Sequence, residues 1–407
     1  MDRQIVITGI GVVTPVGTGC EEFWSNLLDG QSGIAPVKSF DTSAYNVHRG
    51  AEVKEFTAGD FVLNLDAAHL GRASQFAIAA ARLALADAGV ESSSLDQKRA
   101  GVSMGTTSGE PREIERFDDS FMSGALDRIG PEFLALYPCH VIAAHVASEL
   151  GFAGVNTMIP TACAAGNYAI AHALDVMRAG RADLMLAGGS DAFSRITYTG
   201  FARLGAVAPE VCQPFDRFRK GMIPGEGAGV LVLEPLSSAR RRGARIYAEV
   251  GGYGLSCDAH HMTAAHPEGA GAERAMQQAL ADSRTNAAKV SYISAHGTGT
   301  ATNDRLETLA VKRVFKDLAG RIPISSIKSM LGHTMGAASA IEAAVCALAV
   351  FNDRVPPTIN LNDADPECDL DYVPNFARDV RVNVAMNNAY AFGGNNASLI
   401  LRKSVMN

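Results

Sequence analysis

The sequence lacks any run of about 18 uninterrupted apolar residues, the length that a membrane-spanning helix requires, so it predicts no membrane span. Its first residues, MDRQIVITGIGVV, place an acid beside the first basic residue and break their apolar run at glycine. This pattern favours a buried first strand over a secretory signal peptide.

An excess of positive charge is also lacking. Lysine and arginine total 36 against 43 aspartates and glutamates, for a net charge of −7. We therefore expect no general affinity for nucleic acid or for an anionic membrane. A local basic patch remains compatible with this total.

Paired cysteine spacings are absent, because the seven cysteines are scattered, odd in number and without a CxxC motif. This usage argues against a zinc site or a disulfide framework and favours a reducing, cytoplasmic location. The adjacent His260 and His261 suggest a metal site at first sight, but neighbouring residues rarely both bind one ion. We expect no metal.

The 407 residues, 47% of them hydrophobic, are enough to bury a large core. Short apolar runs alternate with helical patterns, which predicts layered α/β structure. One long helix is predicted over Phe133–Ala147. A strand–turn–helix–strand–glycine order occurs twice, over Val155–Ala187 and Ile322–Ala389. It predicts an internal duplication, with halves at residues 1–250 and 251–407.

Cys163 lies in the run TACAAGNY (161–168), where a strand ends and a helix begins. A helix N-terminus favours thiolate over thiol, and its free N–H groups can hold an oxyanion. The small neighbours leave room for a substrate. A buried structural cysteine is the alternative, and the small-residue turn argues against it.

Two histidines occupy glycine-rich turns. His296 follows the apolar segment Val290–Ile293 in AHGTGT (295–300), and His333 lies in IKSMLGHTMGAASAIE (327–342). Lys328 ends a strand that otherwise looks buried, where an unpaired charge is costly, and Glu342 would offset that cost. Ordinary loop histidines and a surface lysine are the alternatives.

Phe392 begins a glycine pair, Gly393 and Gly394, in AFGGNNASLIL (391–401). A plain hairpin turn explains this run equally well. Together, however, the cysteine, the two histidines and this turn indicate thioester chemistry with two hydrogen-bond donors.

These four motifs, in this order and spacing, resemble the β-ketoacyl-acyl-carrier-protein synthases of the elongating, Cys-His-His type. The resemblance implies a duplicated thiolase-like α/β/α/β/α sandwich. It also implies decarboxylative condensation of an acyl thioester on Cys163 with a malonyl thioester, without a metal or redox cofactor. Substrates would arrive on the phosphopantetheine arm of acyl carrier protein.

The resemblance also assigns roles. The backbone N–H groups of Cys163 and Phe392 would hold the oxyanion, and Phe392 would act as a gate on Gly393 and Gly394. His296 and His333 would donate to the malonyl thioester oxygen, while Lys328 and Glu342 pair behind them. Thr298 and Thr300 would bind the pantetheine amides.

Two kinds of protein partner follow from the resemblance. Acyl carrier protein is acidic, and the candidate docking residues are basic: Arg203, Arg217, Arg219 and Lys220, with Arg72 as a further candidate. Ordinary solvated charges are the alternative. A second copy of the chain, or a chain-length-factor-like subunit, would complete a dimer.

Some residues depart from the housekeeping fatty-acid enzymes. Ser108, in GTTSGEP (105–111), implies a wider and more polar acyl tunnel, and Glu110 is unexpected beside a lipid. Asn395 replaces the usual threonine. The runs 302–308 and 365–374 resemble type II polyketide ketosynthases. We therefore expect a specialised type II polyketide or polyene ketosynthase. The alternatives are housekeeping fatty-acid elongation, a cysteine acyl hydrolase and a non-catalytic chain-length partner.

Overall fold

The computed structural model describes residues 3–404 apart from 126, 128 and 132. Its strands are β1 (Ile5–Thr14), β2 (Gly17–Thr18), β3 (Ala35–Pro36), β4 (Arg49–Gly50), β5 (Ala100–Gly105), β6 (Asn156–Ile159), β7 (Leu184–Asp191), β8 (Gly227–Pro235), β9 (Ala248–Cys257), β10 (Tyr292–Ser294), β11 (Ile324–Ser325), β12 (Arg354–Val355), β13 (Arg378–Asp379), β14 (Val384–Tyr390) and β15 (Asn395–Arg402).

The helices alternate with these strands along the chain, as the sequence predicts. They are α1 (Cys20–Leu28), α2 (Arg72–Ala88), α3 (Pro111–Met122), α4 (Phe133–Leu136), α5 (Val141–Leu150), α6 (Ala165–Arg178), α7 (Arg195–Arg203), α8 (Leu236–Arg241), α9 (Ala270–Asp282), α10 (Ala301–Phe315), α11 (Lys328–Leu331) and α12 (Ala338–Asn352). Three 3₁₀ turns matter below: Ala162–Ala164, Met335–Ala337 and Phe392–Gly394.

The main sheet contains the same five-strand arrangement twice. One half has the order β6-β5-β7-β8-β1, and the other has β11-β10-β14-β15-β9. In both halves the first two pairings are parallel and the last two antiparallel. The halves join where β1 pairs with β9 through Val6–Glu249 and Ile7–Ala248. The boundary predicted at residues 250/251 lies inside β9, because pairing with β1 begins earlier on that strand.

Helices cover both faces of each half and fill the space between them. Helix α2 packs on β1 and β8, while α9 packs on β9 and β15. Helices α6 and α12 contact each other and strands of both halves. Small residues allow this contact, since a Cβ on Gly166 would lie only 2.5 Å from the Ala340 nitrogen. The layered α/β sandwich expected from the sequence is confirmed.

The segment Met335–Asn352 is long and apolar enough to cross a bilayer, yet 89% of it is buried inside the fold. It contains the central helix α12, whose all-round apolar character reflects its place between the two halves. The prediction of no membrane span therefore agrees with the position of this helix.

Two local expectations were wrong. The helix predicted over Phe133–Ala147 is broken into α4 and α5, with Pro138 between them. Proline lacks a backbone donor and restricts the residue before it, which explains the break. Lys328 does not end a strand but begins the short helix α11, since β11 covers only Ile324–Ser325.

Candidate active site

Cys163 lies in the turn Ala162–Ala164, directly before α6, and is 7% exposed. Ala162 has φ of 51°, a left-handed conformation that costs a non-glycine residue about 1–2 kcal/mol. Burial raises the pKa of the Cys163 thiol to about 12, although the nearby Lys328 acts in the opposite direction. Desolvation therefore acts against the thiolate that the helix N-terminus would favour.

His296 and His333 face each other, with ring centroids 5.5 Å apart and an interplanar angle of 82°. Burial lowers the pKa of both rings well below the usual value, and the positive charge of Lys328 adds to this effect. Both imidazoles are therefore neutral at physiological pH. The Met335 N–H donates to His333 Nδ1 at 3.2 Å, which places the ring proton of His333 on Nε2.

Lys328 and Glu342 form a buried ion pair, and each side chain is only 1% exposed. Burial raises the pKa of Glu342 to about 7 despite the favourable effect of Lys328. The second carboxylate oxygen of Glu342 has no protein partner. The positive charge of Lys328 acts on both histidine rings and adds to the effect of burial in disfavouring their protonation.

Glu307 is a structural determinant that the sequence reasoning missed. Its two carboxylate oxygens accept hydrogen bonds from the N–H groups of His296 and Gly297, each at 2.8 Å. It is fully buried, which raises its pKa to about 7. On the same helix face, Asp304 accepts the N–H groups of Phe215 and Gly299. The sequence signal that could have indicated them is the spacing of Asp304 and Glu307, three residues apart on the helix that follows AHGTGT.

A cavity of about 230 Å³ reaches Cys163. Both histidines, Thr298 and Thr300 line it, and the two threonine hydroxyls lie 2.9 Å apart. Other lining residues are Phe201, Ala206, Met222, Asp258, Thr263, Tyr390, Phe392 and Asn396. Within the described part of the chain no group of three or more His, Cys, Asp or Glu side chains could hold a metal ion.

Phe392 stands at the mouth of this cavity, 40% exposed, with its ring 5.7 Å from that of Phe201. Gly393 and Gly394 follow with φ of 82° and 77°, a region that favours glycine. A Cβ on Gly394 would lie 2.8 Å from the Cβ of Asp258. The turn therefore requires glycine on conformational grounds, and at Gly394 on steric grounds as well.

Glu110 was wrongly predicted to bind substrate. Its carboxylate is fully buried and accepts the N–H groups of Ala73 and Ser74 at 3.1 and 2.7 Å. It thus satisfies free donors at the start of α2, a need that a buried helix end must meet. Ser108 is half-buried and donates its N–H to Asp191 at 3.0 Å. It is not among the residues that line the cavity at Cys163.

The basic candidates divide into two groups. The side chain of Arg219 is only 4% exposed and pairs with Asp365 and Asp304, so it holds loops together rather than a carrier protein. Arg72 is likewise engaged with Glu226 at 2.7 and 2.9 Å. Arg219 was therefore wrong as a docking residue, because a buried guanidinium group cannot meet a partner, whereas Arg72, whose side chain is 22% exposed, stays a prediction. The exposed candidates are Arg203, Arg217 and Lys220.

This combination of a buried thiol, two neutral imidazole donors and a lysine–carboxylate pair on one cavity defines an acyl-condensing enzyme. Residues 2–239 match the family described as "Beta-ketoacyl synthase, N-terminal domain", and residues 247–362 match "Beta-ketoacyl synthase, C-terminal domain". The chain therefore belongs to the β-ketoacyl synthase family and is a ketosynthase, an acyltransferase.

Individual relatives cover the whole chain. The "3-oxoacyl-[acyl-carrier-protein] synthase 2" of Synechocystis sp. is 40% identical, over 98% of each chain. The protein of the same description from Staphylococcus aureus is 39% identical, over 99% of each. A chain of the structure "The ishigamide ketosynthase/chain length factor" has a TM-score of 0.96 and 42% identity, with complete coverage of both chains.

One further solved structure contains a "type II PKS acyl-carrier protein in complex with its ketosynthase bound to the hexaketide". A chain of it matches with a TM-score of 0.92 and 34% identity, over 100% of both chains. The relatives thus include both fatty-acid-type synthases and polyketide ketosynthases.

Proposed function

We propose that this ketosynthase extends an acyl chain by decarboxylative condensation with malonyl-acyl-carrier protein in a specialised type II polyketide pathway of the cytoplasm. The observation that carries this proposal is the convergence of Cys163, His296 and His333 on one cavity. Lys328 and Glu342 lie behind the two histidines. No resident metal or redox cofactor takes part in the reaction proposed.

In the first half-reaction the Cys163 sulfur attacks the acyl thioester and the acyl group moves to the enzyme. The phosphopantetheine thiol leaves and takes the proton that Cys163 gives up, so the step is balanced. Since burial favours the protonated thiol, the proton must leave as the new bond forms. The N–H groups of Cys163 and Phe392 are proposed to stabilise the tetrahedral oxyanion.

In the second half-reaction the malonyl thioester loses CO2 and leaves an enolate. The neutral His296 and His333 donate to its oxygen, and His333 does so through Nε2–H because Nδ1 already accepts the Met335 N–H. The enolate carbon then attacks the acyl group on Cys163 and releases the sulfur as a thiolate, which takes up a proton from the solvent. Neutral donors suit this step, because an imidazolium would lose its proton to the enolate rather than only stabilise it.

The pathway rests on similarity to both groups of relatives. The 42% identity to a ketosynthase/chain-length-factor structure, with the polyketide-like runs at 302–308 and 365–374, favours the specialised pathway. Housekeeping fatty-acid elongation is the second candidate, favoured by 40% identity to a 3-oxoacyl-[acyl-carrier-protein] synthase 2. Intact-mass analysis of Cys163 acylation by saturated, polyunsaturated and β-keto carriers separates them. Preference for a saturated chain would favour fatty-acid elongation.

Acyl carrier protein is the proposed partner, and the exposed basic residues Arg203, Arg217 and Lys220 are its proposed docking residues. A second subunit is proposed to cover another surface. Strand β6 ends the main sheet. Before it, three stacked rings of Phe117, Phe133 and Tyr137 accompany exposed side chains: Phe121 at 57%, Met122 at 82% and Leu134 at 67%. Exposed apolar surface of this kind marks a protein interface.

The occupant of that surface is either a second copy of the chain or a chain-length-factor-like subunit. The molar mass of the purified chain, measured alone by light scattering, distinguishes a homodimer from a chain that awaits a different partner. A stable monomer that remains active would contradict the dimer.

The decisive experiment incubates the protein with acyl-carrier and malonyl-carrier thioesters. We expect CO2 and a β-ketoacyl product, both abolished by Cys163→Ala. Free acid as the sole product would instead show a cysteine hydrolase. Unchanged condensation by Cys163→Ala in the assembled complex would show a non-catalytic partner.

A further inference from the structure

Asp191, the last residue of β7, is a fully buried carboxylate to which the sequence analysis gave no role. Its Oδ1 accepts the Thr106 hydroxyl at 2.8 Å and the Ser108 N–H at 3.0 Å. Its Oδ2 accepts the Thr107 N–H at 2.7 Å and the Gly336 N–H at 2.6 Å. All four partners are donors, so the site is built for an ionised carboxylate.

These four bonds join two turns that are distant in sequence. Thr106–Ser108 follows β5, whereas Gly336 lies in the turn Met335–Ala337 between His333 and α12. A Cβ on Gly336 would lie 2.5 Å from both the Thr106 carbonyl carbon and the Thr107 nitrogen. The two backbones are thus in direct contact, and Asp191 bridges them where they are closest.

The second of these turns determines the state of His333. Met335 has φ of 53°, a left-handed conformation that a side chain disfavours. In this conformation its N–H reaches His333 Nδ1. A strained turn persists only where its surroundings hold it, and the next N–H along the chain, that of Gly336, is held by Asp191.

We propose that Asp191 is a positioning residue that holds the Met335–Ala337 turn and thereby keeps His333 in the tautomer with its proton on Nε2. This inference rests on the proposed function, in which Nε2–H donates to the malonyl thioester oxygen. The carboxylate also ties that turn to Thr106–Ser108. Asp191 acts through the turn and does not itself touch the substrate.

The test is Asp191→Asn, which keeps the volume but replaces one oxygen with an amide NH2. If Oδ2 is replaced, the amide faces two N–H donors, and if Oδ1 is replaced it faces the Ser108 N–H. Loss of charge-assisted bonds of this kind predicts a fall of about tenfold or more in malonyl decarboxylation and condensation. We expect acylation of Cys163, measured by intact mass without malonyl carrier, to change by less than about threefold.

Glu149→Gln is the matched control. Glu149 is also fully buried and accepts three backbone N–H groups, those of Leu63, Asn64 and Leu65, and it pairs with Arg82, but none of these partners belongs to the cavity lining or to the turn after His333. Any loss in this variant should affect acylation and decarboxylation in equal proportion. If Asp191→Asn behaves in the same way, its role is only structural and the proposal is overturned.

Nitrogen NMR of the His333 ring provides a readout that does not depend on turnover. The wild-type ring should show a neutral Nε2–H tautomer, and Asp191→Asn should show a mixture of tautomers. An unchanged tautomer would overturn the proposal even if activity fell. If the wild-type protein fails to condense at all, the proposed function fails, while the tautomer comparison still decides the role of Asp191.

A milder variant covers the case in which Asp191→Asn does not fold. Thr106→Val removes one donor to Oδ1 together with the acceptor of the Gly109 N–H, and it keeps the branched side chain. We expect decarboxylation to fall about twofold to fivefold through the lost bond to Asp191, with a smaller change in acylation. Equal effects on the two half-reactions would contradict the proposal.

Discussion

Replacing Lys328 with methionine removes the only cation of the buried pair with Glu342. Each side chain is 1% exposed, so the orphaned carboxylate has little access to solvent. Breaking a buried ion pair at one partner costs about 3–5 kcal/mol of the free energy of unfolding. We expect a loss of this size near pH 8, together with loss of condensation because the positive charge that acts on both histidine rings is gone.

The loss should depend on pH, because Glu342 can relieve it by binding a proton. Burial already raises the folded-state pKa of Glu342 to about 7, above its ordinary value of 4.5 in the unfolded chain. A raised carboxyl pKa contributes stability that is present below the unfolded pKa and is lost as pH rises through the folded pKa. Without Lys328 the folded pKa rises further, so the variant keeps this proton to higher pH than the wild type.

From about pH 6 to about pH 8, the stability of Lys328→Met should therefore fall more than that of the wild type, by about 1–2 kcal/mol. Equilibrium denaturation at both pH values measures this difference. Lys328→Met with Glu342→Leu should recover most of the stability but none of the activity. Arg354→Met, which breaks the exposed pair with Asp379, should cost less than about 1 kcal/mol. An equal loss at both pH values, or no recovery in the double variant, would refute this reasoning.

Three further predictions concern the cavity and its rim. Glu307→Gln should lower the kcat of condensation about tenfold or more, since one N–H of the His296 turn loses its acceptor. Separate assays of the two half-reactions should show that acylation of Cys163 is unchanged. Gly394→Ala should slow turnover more than Gly393→Ala, because only a Cβ at position 394 would crowd Asp258. Equal steady-state rates of the two variants, measured at the same protein concentration, would contradict this. The double variant Arg203→Glu with Lys220→Glu should raise the KM for acyl carrier protein at least about threefold without changing the KM for a small acyl thioester, and a normal carrier KM would exclude that surface. Arg219→Glu should instead lower the Tm, because its bonds to Asp365 and Asp304 are lost.

The sequence predicted the layered fold well, because strand and helix periodicities repeat in the two halves and the motifs fall at strand ends. The two errors in element boundaries have local causes. Pro138 divides the helix predicted over Phe133–Ala147, and Lys328 begins α11 because the preceding strand has only two residues. The residues brought to the cavity also include most of those singled out by their motifs. The composition of these motifs predicted the site because small residues beside a cysteine or histidine leave its side chain accessible to a substrate.

What could not be predicted is which charges face inward. Glu110 and Arg219 resemble site and surface residues in the sequence, yet the fold uses one to satisfy the start of α2 and the other to join loops. Glu307 and Asp191 look like ordinary acids of a helix and a strand end. Their partners are backbone N–H groups of turns up to 145 residues away, and side-chain patterns carry no record of such bonds.

The buried acids explain why only neutral donors face the reacting thioester. Asp191, Asp304 and Glu307 each accept backbone N–H groups of turns next to the cavity, and Glu342 pairs with Lys328. Their negative charge is thus opposed by backbone dipoles, by Lys328 and, at Asp304, by Arg219. The two imidazoles remain neutral chiefly because burial lowers the pKa of both rings, and the nearby lysine adds to this effect. An extra cation in the cavity would bind the malonyl carboxylate and oppose its loss as CO2, whereas neutral donors stabilise charge only where it develops.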